Sequence, residues 1–370
     1  MRERALESHS RSIFFSFQQR TRLANMEILF KELTEEIVVP EARLYGPSNW
    51  LTNIYRRQIE EIVLPQETLP PQTVSIGLIQ KRGFNSIEHL RPKPYRQIRL
   101  RIRQGVEQLR NGEIISIPTG YIYDARHIDP GNIAHIVHDH IGSLGYIKAK
   151  TGIGPDQVTV ILPTKCPGFS RVALELCGYR VINTDCAVSG SQLELTGSHL
   201  YQRLPYVRAV RTFATTLDLP ERIYIARKDS RRLLNESEIE RILLPAGFKK
   251  IFMEDYSMSD QWMIAAHAKM IVGIHGAALS ALAWKTPAAT DGNSFRLLEL
   301  FNPTFVVDCY RKYCAVLKGD WVGCRGRLEP KKYQKLEQNP LQPELRMADF
   351  QVDIEAFKSA FSRMLEGSPQ

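Results

Sequence analysis

The chain has 370 residues, of which 43% are hydrophobic and 24% charged, and its formal net charge is +9. This composition excludes a disordered or fibrous chain, and the length suits two domains of about 150 residues each. The basic balance favours an anionic ligand or an acidic surface, without choosing among nucleotide, nucleic acid and membrane lipid.

The six cysteines form no C-x-x-C pair and have no zinc-finger spacing. We interpret them as free thiols in a reducing compartment, which predicts a cytoplasmic protein. Near the N-terminus the apolar run 13–15 is too short for a signal peptide core or for a span of about 20 residues. We therefore expect no transmembrane segment and at most a peripheral association with a membrane.

The first part of the chain predicts an α/β domain with a helical N-terminal extension. Residues 1–65 have the pattern of one or two amphipathic helices followed by a connector with several prolines. Short β-branched runs then predict strands, and amphipathic segments between them predict helices. The strands are expected at 74–79, 114–118 and 158–162, and the helices at 134–148 and 169–177. This alternation is typical of a mostly parallel sheet.

A second alternation of strands and helices begins near residue 222. We expect strands at 223–226, 249–253, around 271 and 297–300, with helices from 236, at 258–268 and from 277. Four strands and three helices with short loops predict a second doubly wound unit. Residues 197–218 are a candidate hinge, 329–345 a linker and 353–365 a closing helix. The predicted domains are therefore 1–205 and 206–330, followed by a tail over 331–370.

Polar residues mark where two helices of the second unit begin. Asn235 and Glu238 have the spacing of a capping box, and Ser257 and Asp260 have a similar one. Both helices should begin at the carboxyl edge of the sheet, where open α/β folds bind ligands.

Glycines and a histidine follow the strand expected around residue 271. Gly273, His275 and Gly276 form a turn that leads into a helix at Ala277. The start of a helix presents free backbone N–H groups and a positive dipole end, and the imidazole lies at the same turn. A diphosphate fits this site, although a turn of this kind can equally serve tight packing.

A basic cluster leaves the first strand of the second unit at the same sheet edge. It contains Arg227, Lys228, Arg231 and Arg232. Guanidinium groups facing the glycine turn would donate forked hydrogen bonds to phosphate oxygens. Taken singly, these arginines are ordinary surface charges. The cluster and the turn together predict an anion site.

Histidines and a carboxylate open a helix in the first part of the chain. His135, His138 and Asp139 lie three and four residues apart, so an α-helix would place them on one face. They suit a general base oriented by a carboxylate, and they equally suit a metal site. A surface helix without function is the third interpretation.

Several of these motifs together resemble glycosyltransferase family 61. The resemblance covers about residues 115–315, and its most specific part is the stretch from the arginines to the glycine turn. It rests on Asn132-x-x-His135-x-x-x-Asp139, Ile223-Tyr-Ile-Ala-Arg227, Arg231-Arg232-Leu-Leu-Asn235-Glu236, Gln261, Ala268, Gly273-x-His275-Gly276-Ala277-x-Leu279 and Leu298-Glu299.

The resemblance implies a GT-B architecture, in which two Rossmann-like doubly wound domains face each other across a cleft. It also implies inverting sugar transfer from a nucleotide sugar, usually UDP-linked, to a glycan or lipid-linked saccharide. No essential metal and no further cofactor are expected. We also expect no nucleic-acid partner.

By position, the resemblance also assigns roles to individual residues. Arg227 and Arg232 would contact the diphosphate, with Arg231, Asn235 and Gly273 beside them. The phosphate-facing helix start would be formed by His275, Gly276 and Ala277. Glu299 would bind the ribose hydroxyls. The transferred sugar and the acceptor would be faced by His135 and Asp139, from the opposite domain.

This chain departs from the family pattern at a few positions. It has Ile136 after the histidine, Gly142 and Ser143 where a Pro-Arg pair is common, Ala281 where an asparagine is usual, and a polar insert at 286–294. Two other classes of function also stay open. One is a metal-dependent hydrolase that uses His135, His138, Asp139 and His140 as ligands, and the other is a non-catalytic nucleotide- or glycan-binding protein.

Overall fold

The computed structural model describes residues 26–47, 59–81, 114–126, 128–197, 200–285, 295–328 and 343–366, together with residues 332, 334, 335 and 338. The chain divides into two compact units. The first consists of Met1–Thr34, Gln72–Ile136 and Tyr146–Ser198, and the second of Glu35–Pro71, Val137–Gly145 and His199–Gln370. Both units are discontinuous in sequence, whereas the predicted domains are continuous.

Fifteen strands are found in the described part of the chain. In chain order they are β1 (Glu27–Leu33), β2 (Ile37–Val39), β3 (Ala42–Pro47), β4 (Ile59–Leu64), β5 (Glu67–Leu69), β6 (Thr73–Lys81), β7 (Ile114–Asp124), β8 (Val158–Leu162), β9 (Arg180–Asn183), β10 (Ala187–Thr196), β11 (Arg222–Ile225), β12 (Lys249–Ile251), β13 (Met270–Ile274), β14 (Arg296–Phe301) and β15 (Asp320–Arg325).

The main helices lie between these strands or follow the last one. They are α1 (Ile133–His135), α2 (Gly142–Thr151), α3 (Gly168–Leu176), α4 (Leu200–Arg203), α5 (Val207–Val210), α6 (Glu236–Leu243), α7 (Met258–His267), α8 (Cys309–Val316), α9 (Pro343–Met347) and α10 (Ile354–Glu366). A π-helical segment over Ile136–Ile141 connects α1 to α2, and a 3-10 helix covers Ala277–Trp284. No helix in the described ranges is both long and apolar enough to cross a membrane.

The first unit contains a six-stranded mixed sheet in the order β1-β6-β10-β7-β8-β9. Strands β10, β7, β8 and β9 are parallel neighbours, whereas β6 pairs antiparallel with both β1 and β10. All five residues of β8 are buried, as its unbroken β-branched run predicts. Ile122, Ile161 and Val188 pack together in the core beneath the parallel strands.

The second unit contains a seven-stranded sheet in the order β12-β11-β13-β14-β15-β3-β4. All neighbours are parallel except β3 and β4. Counted from β11, the first five strands have the order 2-1-3-4-5 of a doubly wound fold, and the order reverses between β11 and β13. Ligands of open α/β sheets bind at the carboxyl ends of the strands at such a switch point.

The helical extension predicted over residues 1–65 is wrong in its described part, while residues 1–25 lie outside the described ranges. The structure has β1 to β4 there, and β3 and β4 complete the sheet of the second unit. In β1 the apolar residues of Glu-Ile-Leu-Phe-Lys-Glu-Leu are spaced as on an amphipathic helix, but the strand lies at a sheet edge with its side chains mostly exposed.

Most predicted elements of the second unit are confirmed within one or two residues, including α6, α7 and α10. Ser257 caps α7 as expected, since its hydroxyl accepts a hydrogen bond from the Asp260 amide at 3.2 Å. The capping box at Asn235 is wrong. The Asn235 side chain instead bonds the backbone of Val352 through both its Nδ2 (2.9 Å) and its Oδ1 (3.3 Å).

Candidate functional site

Two loops meet at the switch point of the second sheet. One follows β11 and carries the basic cluster, and the other follows β13 and carries the glycine turn. The two strands are parallel neighbours, with Ile225 opposite Gly273, so both loops leave the same sheet edge. The sequence predicted this convergence, and the structure confirms it.

Two guanidinium groups lie over the turn. Arg231 donates from Nη1 to the carbonyl oxygen of His275 at 3.1 Å, and Arg227 Nη1 lies 3.4 Å from the same oxygen. Arg227 is held from its other side, because its Nε donates to the Ser230 carbonyl at 2.8 Å. The guanidinium of Arg231 also lies 5.0 Å over the ring of Phe305. Arg227 and Arg231 therefore form a cationic pair beside Gly276.

The cationic pair has no acidic partner in the part of the chain that the structure describes. Neither arginine forms an ion pair with a carboxylate of the described residues. Burial lowers the pKa of both guanidinium groups, and the charge of Arg227 lowers the pKa of Arg231 further. Two like charges that are both partly withdrawn from water are stabilised by an anion bound between or beside them.

Arg231 has an unusual backbone conformation as well. Its φ is 59°, in the left-handed region that residues with a side chain rarely adopt, and its buried Nε has no hydrogen-bond partner among the described residues. Such strain costs about 1–3 kcal/mol and is concentrated at binding and catalytic sites. In this backbone conformation the Arg231 guanidinium contacts the turn through its hydrogen bond to the His275 carbonyl.

Gly276 has no room for a side chain. A Cβ placed on it would overlap Nη1 of Arg227, although its φ of 162° is ordinary extended backbone. Its carbonyl accepts a hydrogen bond of 2.8 Å from the Tyr310 hydroxyl. The glycine is therefore required by the close approach of the guanidinium to the backbone.

His275 and Glu299 have different positions from those expected. The His275 ring is 5% exposed and stacks on Phe301, with Nδ1 at 2.5 Å from Oε1 of Glu299. Glu299 is completely buried, and its Oε2 accepts from Trp321 Nε1 at 2.7 Å. Burial raises the pKa of Glu299, and the hydrogen bonds from His275 and Trp321 oppose that rise.

Two predicted roles are corrected by this geometry. Because both carboxylate oxygens of Glu299 are used inside the protein, they are not available to ribose hydroxyls. The imidazole of His275 points into the core, so the residue contributes its backbone, not its ring, to the anion site. The glycine turn is supported on its buried side by the hydrogen-bonded side chains of Trp321, Glu299 and His275.

Four further positions differ from the predicted roles. Arg232 is exposed, and its Nη2 pairs with Asp349 at 2.7 Å, so it does not join the cationic pair. Asn235 is bound to Val352, as described above. Ala277 begins a 3-10 helix, not the expected α-helix. Gly273 is a packing position, since a Cβ there would lie 2.6 Å from the Leu279 side chain.

The histidine segment is divided between the two units. His135 ends α1 in the first unit, whereas His138 and Asp139 lie on the π-helical segment in the second. Segments of π-helix are rare and occur frequently at functional sites. His138 Nδ1 is 2.7 Å from the Tyr313 hydroxyl, and His138 Nε2 is 3.2 Å from Asp139 Oδ2.

Residues outside the predicted site complete this network. Arg203 Nη2 lies 3.4 Å from Asp139 Oδ1, and Arg203 Nη1 donates to Ser143 at 2.5 Å. The side chain of Arg203 is only 11% exposed. Tyr310 and Tyr313, three residues apart on α8, were also missed. Their spacing predicts a shared helix face, but no signal in the sequence gives the partners of that face.

The mixed α/β fold, with parallel strands in both sheets and two arginines beside a glycine turn at a switch point, is consistent with a Rossmann-like glycosyltransferase. Residues 133–291 match the family model described as Glycosyltransferase 61. This match, which covers less than half of the chain, confirms the resemblance to that family seen in the sequence. No match is found among the curated proteins.

Proposed function

We propose that the protein is an inverting glycosyltransferase that moves a sugar from a UDP-linked donor to a glycan or lipid-linked saccharide, without an essential metal. One observation carries the proposal. Arg227 and Arg231 are half-buried, have no carboxylate partner among the described residues, and meet over Gly276 at the switch point. A diphosphate supplies the missing negative charge, with several oxygens for forked donors.

The reaction requires charge stabilisation on the leaving group. The acceptor oxygen attacks the anomeric carbon, the bond from that carbon to the phosphate oxygen breaks, and UDP leaves with the electron pair. Arg227, Arg231 and the free N–H groups at the start of the 3-10 helix would stabilise the negative charge that develops on the phosphate. Losing one such donor typically costs about 3 kcal/mol, roughly a hundredfold in rate.

The acceptor hydroxyl must also lose its proton. We propose His135 as the base and Asp139 as its partner, because imidazole transfers protons near neutral pH. His138 suits this role less well, since Tyr313 and Asp139 occupy its two ring nitrogens. The GT-B architecture belongs to the same proposal and rests on the resemblance to glycosyltransferase family 61.

Two adjacent arginines provide the test of the donor site. In titration calorimetry with UDP, Arg231→Met should bind at least about tenfold more weakly than the wild type, because a charge-assisted hydrogen bond and a guanidinium are lost. Arg232→Met is the matched control and should bind as the wild type does, since Arg232 pairs with Asp349. Unchanged UDP affinity in Arg231→Met would remove the diphosphate site.

The metal-dependent alternative predicts a different response to chelation. Release of UDP from UDP-linked sugars should continue at the same rate after dialysis against EDTA. Activity that disappears with EDTA and returns with Zn²⁺ would instead favour the hydrolase.

A further inference from the structure

Helix α8 carries two buried tyrosines that hold different parts of the candidate site. The Tyr310 hydroxyl donates to the Gly276 carbonyl at 2.8 Å, and the Tyr313 hydroxyl lies 2.7 Å from His138 Nδ1. Both side chains are less than 5% exposed, and their ring centroids are 5.0 Å apart in an edge contact. One turn of α8 thus contacts both the glycine turn and the π-helical segment.

The contact between Tyr313 and His138 has a preferred arrangement of protons on the hydroxyl and the imidazole. His138 Nε2 lies 3.2 Å from Asp139 Oδ2, and because a carboxylate only accepts hydrogen bonds, this contact stabilises the tautomer with the proton on Nε2. In the neutral ring Nδ1 is then an acceptor, and Tyr313 is its donor. Burial raises the pKa of the Tyr313 hydroxyl well above its usual value, which keeps that proton in place. Tyr313 therefore orients His138, and His138 orients Asp139.

We propose that Tyr310 and Tyr313 are positioning residues, and that α8 keeps Asp139 in register with the diphosphate site. This inference rests on the proposed function and extends it to residues that touch neither donor nor acceptor. Because the two hydroxyls are on one rigid turn, a fixed distance separates the Gly276 carbonyl from His138. Displacements of about 1 Å between reacting groups can cost a hundredfold in rate.

Two matched substitutions separate the contacts. Tyr310→Phe should weaken UDP binding roughly fivefold, the usual worth of one hydrogen bond. Tyr313→Phe should leave UDP affinity within about twofold and slow UDP release from a panel of UDP-linked sugars by about tenfold or more. Tyr179→Phe is the control, since the buried Tyr179 hydroxyl has no hydrogen-bond partner among the described residues.

A second variant guards against misfolding of Tyr313→Phe. His138→Asn keeps a polar atom near Tyr313 but removes the donor to Asp139, so it should show the same loss of turnover with UDP affinity retained. Two results would overturn this inference while leaving the proposed function in place. One is that Tyr310→Phe and Tyr313→Phe have equal effects on UDP affinity and on rate. The other is wild-type turnover in both Tyr313→Phe and His138→Asn. A wild-type protein that binds no UDP would overturn the proposed function together with it.

Discussion

Arg227 and Gly276 approach each other so closely that the guanidinium occupies the space in which a side chain at position 276 would begin. Gly276→Ala should therefore displace the end of Arg227 and lower UDP affinity by about tenfold, the loss of one charge-assisted donor. The melting temperature should change little, because the displaced atoms are the end of a flexible side chain and the backbone is extended.

Calorimetric titration with UDP and thermal unfolding measure these two quantities. Gly168→Ala serves as the control, since no atom lies within 4 Å of a Cβ at that exposed position. Retention of full affinity in Gly276→Ala would mean that the close approach has no part in binding.

His135 is the proposed base, so its loss should affect chemistry and not donor binding. His135→Ala should lower the rate of UDP release by about a hundredfold, the usual contribution of a general base, with UDP affinity unchanged. His267→Ala, at the exposed end of α7, should match the wild type in both measurements. Undiminished turnover in His135→Ala would transfer the role to another group.

Substitution of Glu299 should lower stability, because its carboxylate accepts two hydrogen bonds in the core. In Glu299→Gln the amide has only one oxygen, so either His275 Nδ1 or Trp321 Nε1 loses its acceptor inside the core. We expect a loss of about 1–3 kcal/mol in the free energy of unfolding, measured with urea. The exposed Glu238→Gln should be close to neutral, and an equally neutral Glu299→Gln would show that this network does not support the turn.

Lys285 makes a prediction about pH. Its Nζ is buried and donates to the Ala266 and Ala268 carbonyls at the end of α7, and burial lowers its pKa to about 7. An unfolded lysine has a pKa of about 10.4, so between about pH 7 and about pH 10 the unfolded state binds the additional proton. The contribution of Lys285 to the free energy of unfolding should therefore increase with pH across that window.

The measurement is urea unfolding at several pH values. Wild type should gain stability relative to Lys285→Met as the pH increases from about 7 to about 9. The exposed Lys249→Met should follow the wild type. A constant difference between wild type and Lys285→Met would contradict a titration of Lys285 in this range.

The sequence predicts the parts of the fold that depend on local pattern. The buried run of β8, the strands flanking the switch point and the amphipathic helices α3, α6 and α10 are all found where periodicity places them. The meeting of the basic cluster and the glycine turn was also predictable, because loops from neighbouring parallel strands leave one edge of the sheet.

What the sequence could not predict depends on the direction of side chains and on distant partners. Arg231 and Arg232 are adjacent and identical in type. Arg231 has a positive φ and contacts the glycine turn. Arg232 instead pairs with Asp349, which lies more than one hundred positions later in the chain. Glu299 follows the family pattern, but its orientation depends on Trp321 and His275. The π-helical segment likewise reflects a choice of hydrogen bonds that periodicity does not encode.

The strand pairing between β3 and β15 has a consequence for biosynthesis, since the paired residues Arg43 and Val322 are about 280 positions apart. At 5–20 residues per second, the ribosome exposes β3 roughly 15–60 s before its parallel neighbour emerges. Throughout that interval the edge of β3 that pairs with β15 has no partner strand, and an unpaired strand edge favours chaperone capture or aggregation. Deleting residues 1–71 would remove β3 and β4, and with them this delay, and would leave β15 at an open edge of the sheet.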